Sequence, residues 1–221
     1  MTKRTIMKWP AQGWALASFL FAITVFADSA VAEGMIGGIW RAHRELSQVL
    51  PENPPFSVVG REAQRNFDAF NDPYLRCIVY MPRAMIAWAP TSLEIVQSNQ
   101  RVWILFEAYH QVRRIFLDGR SPPEGVGSTW LGHSNGHWEG DILVVETIGL
   151  RGNSSYFWDG LPLSASTRIN ERFRRLDDQT LEVHMTITDP VNYTEPWETR
   201  HVWNLTPDAH IYEYECDRVA E

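Results

Sequence analysis

The stretch WLGHSNGHWEGDILVVETI, Trp130 to Ile148, decides the fold. Two β-type runs, Trp130–Trp138 and Leu143–Ile148, flank the turn signal Glu139-Gly140-Asp141. Asn135-Gly136 offers a competing two-residue hairpin turn. The apolar run Ile142–Val145 starts cleanly after Glu139-Gly140-Asp141, which favours that turn and leaves Asn135-Gly136 as a bulge in the preceding strand.

Outward from this hairpin the same period of two recurs. Leu93–Gln97, Val102–Tyr109, Val112–Leu117, Thr167–Leu176, Leu181–Thr188, Thr199–Leu205 and Ile211–Cys216 read as further strands, most of them separated by short turn signals such as Asp118-Gly119 and Asp177-Asp178. Before Pro90 the pattern differs. Trp40 to Leu50 and Arg61 to Asn71 place apolar residues every three to four positions, which predicts short helices ended by Pro51 and Pro73. The expected fold is mainly β: an antiparallel, lipocalin-like (calycin-type) barrel of eight or nine strands with short N-terminal helices. A closed barrel removes exposed strand edges; a two-sheet sandwich is the rival.

The first residues read as a processing signal. Lys3, Arg4 and Lys8 precede an apolar run from Gly13 to Ala27, and Ala30-Val31-Ala32 has the small-x-small form of a cleavage site. At 15 residues the run falls short of the roughly 20 a spanning helix needs. The expected organisation is therefore a signal peptide over 1–32, a helical or irregular segment over 33–90 packing on the barrel, and the barrel over 91–221. The protein is expected in the periplasm or secreted, without stable membrane insertion.

Loss of 1–32 removes three bases and one acid, taking the formal net charge from −7 to −9. Every base after Lys8 is Arg or His. Such a surface excludes a nucleic-acid partner, which needs a positive field. Cys77 and Cys216, the two cysteines, are expected to form a disulfide in an oxidising compartment. The sequence has no phosphate loop, GxGxxG, HExxH, CxxC or GxSxG, so no cofactor is expected. His133 and His137 share a strand face but lie about 13 Å apart at ~3.3 Å per residue, and no metal site is expected.

The chemical candidates are carboxylates on otherwise apolar strand faces. Glu107 alternates with Trp103, Leu105 and Tyr109; Glu146 with Ile142, Val144 and Ile148; Glu171 with Ile169 and Phe173. A buried carboxylate is either paired or protonated, and both states suit proton transfer. Glu146 and Glu171 are the candidate acid and base, His133 a proton relay, and Arg172 an anion-stabilising group. Ten Trp, ten Phe and seven Tyr suggest an aromatic-lined cavity for a small apolar or aromatic molecule. Trp103, Glu107, Tyr109, His110, Trp138, His201, Trp203 and Tyr214 are its candidate ligand contacts, with Gly149–Ser166 as a lid carrying the aromatic run Tyr156-Phe157-Trp158.

His110-Gln-Val-Arg-Arg-Ile-Phe-Leu-Asp118-Gly119-Arg120, the 130–147 stretch quoted above, Glu171-Arg172, Asp189-Pro190-Val-Asn-Tyr193-Thr194-Glu-Pro196-Trp197 and Glu215-Cys216 together resemble an uncharacterised family of exported bacterial proteins with a GHSxGxWEGDxLVVET-like motif. The similarity runs from about Asn71 to Cys216. It implies export and a β-rich domain, and it names no activity. His133, Ser134, Glu146 and Glu171 fall within the matched motifs; His137 does not.

Two functions are expected from these features. The first is a cofactor-independent lyase, hydratase or isomerase acting in the barrel on an apolar or aromatic substrate. The alternative is a lipocalin-like carrier that binds such a ligand without chemistry.

Overall fold

The computed structural model describes residues 35–87, 91–125, 127–152, 154–156 and 160–216. The expected signal peptide lies outside these residues, as do Phe157 and Trp158. The strands are β1 (Gly38–Ala42), β2 (Ser92–Gln97), β3 (Arg101–Phe106), β4 (Gln111–Phe116), β5 (His133–Glu139), β6 (Ile142–Ile148), β7 (Ser154–Ser155), β8 (Pro162–Leu163), β9 (Arg168–Arg175), β10 (Thr180–Thr188) and β11 (Trp197–Leu205). Nine of them close into a barrel in the order β1-β11-β10-β9-β6-β5-β4-β3-β2, while β7 and β8 form a small separate hairpin. Alternation fixes which face turns inward. Along β10, Leu181, Val183, Met185 and Ile187 are buried, and Glu182, His184 and Thr186 face out.

Eight barrel strands lie where the period of two puts them; the ninth does not. The expected helix from Trp40 to Leu50 is instead β1 followed by a single 3-10 turn at Arg44–Leu46. Trp40 is fully buried, and it pairs with Leu205 on one side and Leu93 on the other. Ladder bonds to two flanking strands outweigh a helical period carried by few residues. The expected strand Ile211–Cys216 is irregular, so the barrel is closed by a strand from within 33–90. The second expected helix is shifted: α1 spans Val58–Arg65 because the Ser57 side chain caps it, accepting from the Gly60 N–H. Asp68 and Asp72 then cap two successive 3-10 turns and prevent its extension. The run expected to reach Tyr109 ends at Phe106, since Tyr109 and His110 both take left-handed backbone angles.

The β5–β6 hairpin turns at Gly140-Asp141, as the sequence indicates, but its register is unbroken from His133↔Ile148 to Glu139↔Ile142. Asn135-Gly136 is therefore not a bulge. Gly136 faces inward, where an added Cβ would meet the Ile115 side chain at 2.9 Å, so the glycine permits close approach of two strands.

All neighbouring barrel strands run antiparallel except β4 and β5, which are parallel and pair only at Ile115↔Ser134 and Phe116↔Asn135. A parallel step requires a long crossover, supplied by residues 117–132. The interior is occupied by side chains, among them Trp40, Ile104, Ile115, Leu143, Phe173 and Met185. No helix among the described residues is long and apolar enough to cross a membrane. The expected Cys77–Cys216 disulfide is present, with the Cα atoms 6.0 Å apart across a separation of 139 residues.

Candidate functional site

The short β4–β5 pairing leaves Gln111–Arg114 of β4 without a strand partner on that side. The chain approaching β5, Thr129–Gly132, and a third segment, Cys77–Val79, line the concavity beside these unpaired residues. The Met81 N–H donates to the Trp130 carbonyl at 2.9 Å and joins the two segments. Gly132 makes the bend into β5 at φ +68°, where a Cβ would come within 2.7 Å of the Ile148 carbonyl oxygen. The result is an open groove of about 480 Å³. Ile78, Val79, Trp130 and Leu131 supply apolar wall, and Gln111, Arg114, His133 and Ser134 supply polar groups. No Asp or Glu lines it among the described residues, on a chain with 27 acids.

Beneath the groove lies a buried polar network. Arg113 and Ser134, 1% and 2% exposed, line its floor. The Arg113 guanidinium donates to Ser134 Oγ at 3.1 Å, to Thr147 Oγ1 at 2.8 Å and to both carboxylate oxygens of Glu171, Nη1 reaching Oε1 at 2.9 Å. Ser134 and Thr147 hydroxyls are 2.8 Å apart. Four inward-facing positions on four adjacent strands thus form one unit, with the fully buried Glu171 held bidentately.

His133 lies at the groove rim. Its Nε2–H donates to the Arg120 carbonyl at 3.0 Å, so in the neutral ring Nδ1 is an acceptor. The ring stacks on Phe116, with centroids 5.2 Å apart. Arg120 also lies over Phe116 and pairs with Asp118, whose pKa its hydrogen bonds hold down at about 2. This fastens the start of the crossover to the rim.

The other expected catalytic residues are elsewhere. Glu146 does not face the interior: β6 turns Leu143, Val145 and Thr147 inward, and Glu146, 46% exposed, pairs with Arg168 on the outer wall. Arg172 is also outward and binds Glu139 at 2.9 Å, which with the nearby His137 lowers the Glu139 pKa. Glu171 faces the interior as expected, but both its oxygens are taken by Arg113.

The expected ligand contacts separate into three places, none of them the groove. Trp103 lies half-buried on the outer face of β3. Glu107 accepts the Ser92 N–H at 3.1 Å, and its neighbours Tyr109 and His110 meet the C-terminal segment. Tyr109 stands edge-on to Tyr74 and Tyr214, and His110 Nε2 accepts the Tyr214 N–H at 2.7 Å. Burial, then the two neighbouring tyrosines, raises the Tyr109 pKa. Trp138, His201 and Trp203 point into the packed interior. His201 Nδ1 accepts the Ala87 N–H at 3.3 Å, and Nε2 contacts the Tyr156 and Thr199 hydroxyls at 3.1 and 3.0 Å. Burial, with a smaller contribution from His184, depresses its pKa to about 3. Tyr156, expected in a mobile lid, is a fully buried plug fastened to this histidine.

The groove residues Gln111, Arg114, Trp130, Leu131 and Ser134 were not among the expected site residues. The signal for them is the long connection between β4 and β5, residues 117–132, which contrasts with the tight turns at β2–β3, β5–β6 and β9–β10. No protein-family model and no curated protein matches this chain, so the site is read from its own residues.

Proposed function

We propose that this protein is an exported carrier that binds a small molecule with an apolar or aromatic body in the β4–β5 groove. The observation that carries this reading is a concavity of about 480 Å³ at the one parallel junction of the barrel wall, with an apolar lining and a few convergent polar groups. Export, to the periplasm or beyond, is supported by the N-terminal sequence pattern and is compatible with the disulfide. The acidic, Lys-free mature chain argues against a nucleic-acid partner.

One observation favours a second reading, the cofactor-independent lyase or isomerase. His133 lines the groove with Nδ1 as an acceptor and can serve as a base. Glu146 and Arg172 cannot share that role from the outer wall, and Glu171 is committed to Arg113. Carriage needs none of them.

Native mass spectrometry of protein exported by its own host tests the first reading. A retained small molecule is expected in the parent and absent from Gln111→Trp, which puts an indole into the groove lining. Retention by both proteins would place the ligand elsewhere, and a bare chain in both would contradict carriage. If the retained molecule is converted by the parent but not by His133→Gln, the second reading replaces the first.

A further inference from the structure

The hydroxyl network under the groove contains more protons than internal acceptors. Ser134 Oγ accepts from Arg113 Nε–H, and Thr147 Oγ1 accepts from Arg113 Nη2–H. The two hydroxyls also share a hydrogen bond, in which only one can donate. One O–H proton is left, and among the described residues no further acceptor holds it. Thr147 is fully buried, whereas Ser134 forms part of the groove floor. The arrangement that satisfies both groups has Thr147 donating to Ser134 and Ser134 donating into the groove. A buried donor without a partner is costly, so the floor favours a ligand that brings an acceptor.

The charge at the groove points the same way. Arg113 is neutralised by Glu171, but Arg114, exposed at the wall, has no carboxylate partner among the described residues. Four outward arginines of the barrel do pair with acids, Arg168 with Glu146, Arg172 with Glu139, and Arg174 and Arg200 with Glu182, while the exposed Arg41 is held by the Ser92 hydroxyl. With no acid in the lining among the described residues, the groove is a cationic concavity on an acidic protein.

We propose that the ligand is an organic carboxylate of one or two rings. Its carboxylate accepts from the Ser134 hydroxyl and pairs with Arg114, and its apolar body lies against Val79, Trp130 and Leu131. This rests on the carrier reading of the groove and adds the ligand's charge and polar group.

The test compares 1-naphthoate with its neutral isostere 1-naphthamide, by calorimetry on the full mature protein at low salt. The parent should bind the acid about tenfold more tightly or better, in line with a charge-assisted hydrogen bond and a screened ion pair. Arg114→Gln, a change at an exposed position, should bring acid and amide within about threefold, and Arg114→Lys should restore part of the preference. Equal binding of acid and amide by the parent, blocked by Gln111→Trp, overturns the proposal and leaves the carrier reading intact. A preference that survives Arg114→Gln unchanged also overturns it. Binding of neither probe counts against the groove as a carrier site, and the proposal falls with it.

Discussion

The β9–β10–β11 wall and the β4–β5 seam are built from the same kind of strand and differ in how completely they pair. Strand β10 is in register with β9 from Leu181 to Thr188 and with β11 from Thr180 to Ile187. The seam has two paired positions. Where the ladder is complete, the inner face is filled and His201 is sealed in it with its polar atoms met by Ala87, Tyr156 and Thr199. Where it is incomplete, the buried polar side chains Arg113 and Ser134 line the floor of a groove. The broken junction sets a concavity over Arg113 and Ser134, while the complete walls supply rigidity.

The largest expected effect tests what holds the seam together. Cys77 lines the groove, and its bridge to Cys216 closes a loop of 139 residues. Replacing both cysteines with serine should cost about 4–5 kcal/mol by loop-closure entropy, measured by urea unfolding. A loss under about 1 kcal/mol would show that the Cys77–Val79 segment is held by its packing alone.

Next is the network under the groove. Glu171→Gln leaves the Arg113 charge buried without a counter-ion and should destabilise by about 3–5 kcal/mol. The double change Arg113→Met/Glu171→Leu should recover most of that, because a well-packed apolar pair removes both desolvation penalties. A near-neutral Glu171→Gln would mean that water reaches the pair through the seam.

The complete wall has its own signature in pH. An imidazole ordinarily titrates near 6.5, and folded His201 is held at about 3. Between those values the unfolded chain binds a proton that the folded barrel refuses. The contribution is therefore fully present above pH 6.5 and is lost as pH falls toward 3, with a slope of up to about 1.4 kcal/mol per pH unit. Stability measured between pH 6.5 and 5, before most carboxylates titrate, should fall in the parent and fall less in His201→Gln. Parallel curves would contradict a sealed wall. The smallest effect is on the outside, where Glu146→Gln breaks a half-exposed pair with Arg168 and should change stability by less than about 1 kcal/mol.

Glu146 and Glu171 show how much the sequence makes legible. In β9 the arginines at 168, 172 and 174 mark the outer face, so the inward position of Glu171 follows from alternation. In β6 both faces are apolar, Ile142, Val144 and Ile148 on one and Leu143 and Val145 on the other, so periodicity cannot tell them apart. Pairing with Arg168 from a strand 22 residues on settled that Glu146 is outside. The groove was hidden for a related reason. Eight strands and the disulfide are written in local pattern and cysteine count, but a parallel junction depends on which strands meet, and only the long gap after β4 hints at it. Trp40 likewise reads as helical until β2 and β11 offer it partners.

The claim that ligand enters at the seam and not in the barrel interior can be tested through the indole N–H signals of the tryptophans by NMR. Trp130 lines the groove, while Trp197 and Trp203 are buried in the packed interior. With each signal assigned by a Trp→Phe substitution, titration with 1-naphthoate and 1-naphthamide should move the Trp130 resonance and leave Trp197 and Trp203 in place. Movement of Trp197 and Trp203 with Trp130 unchanged would put the ligand in the interior and contradict the account.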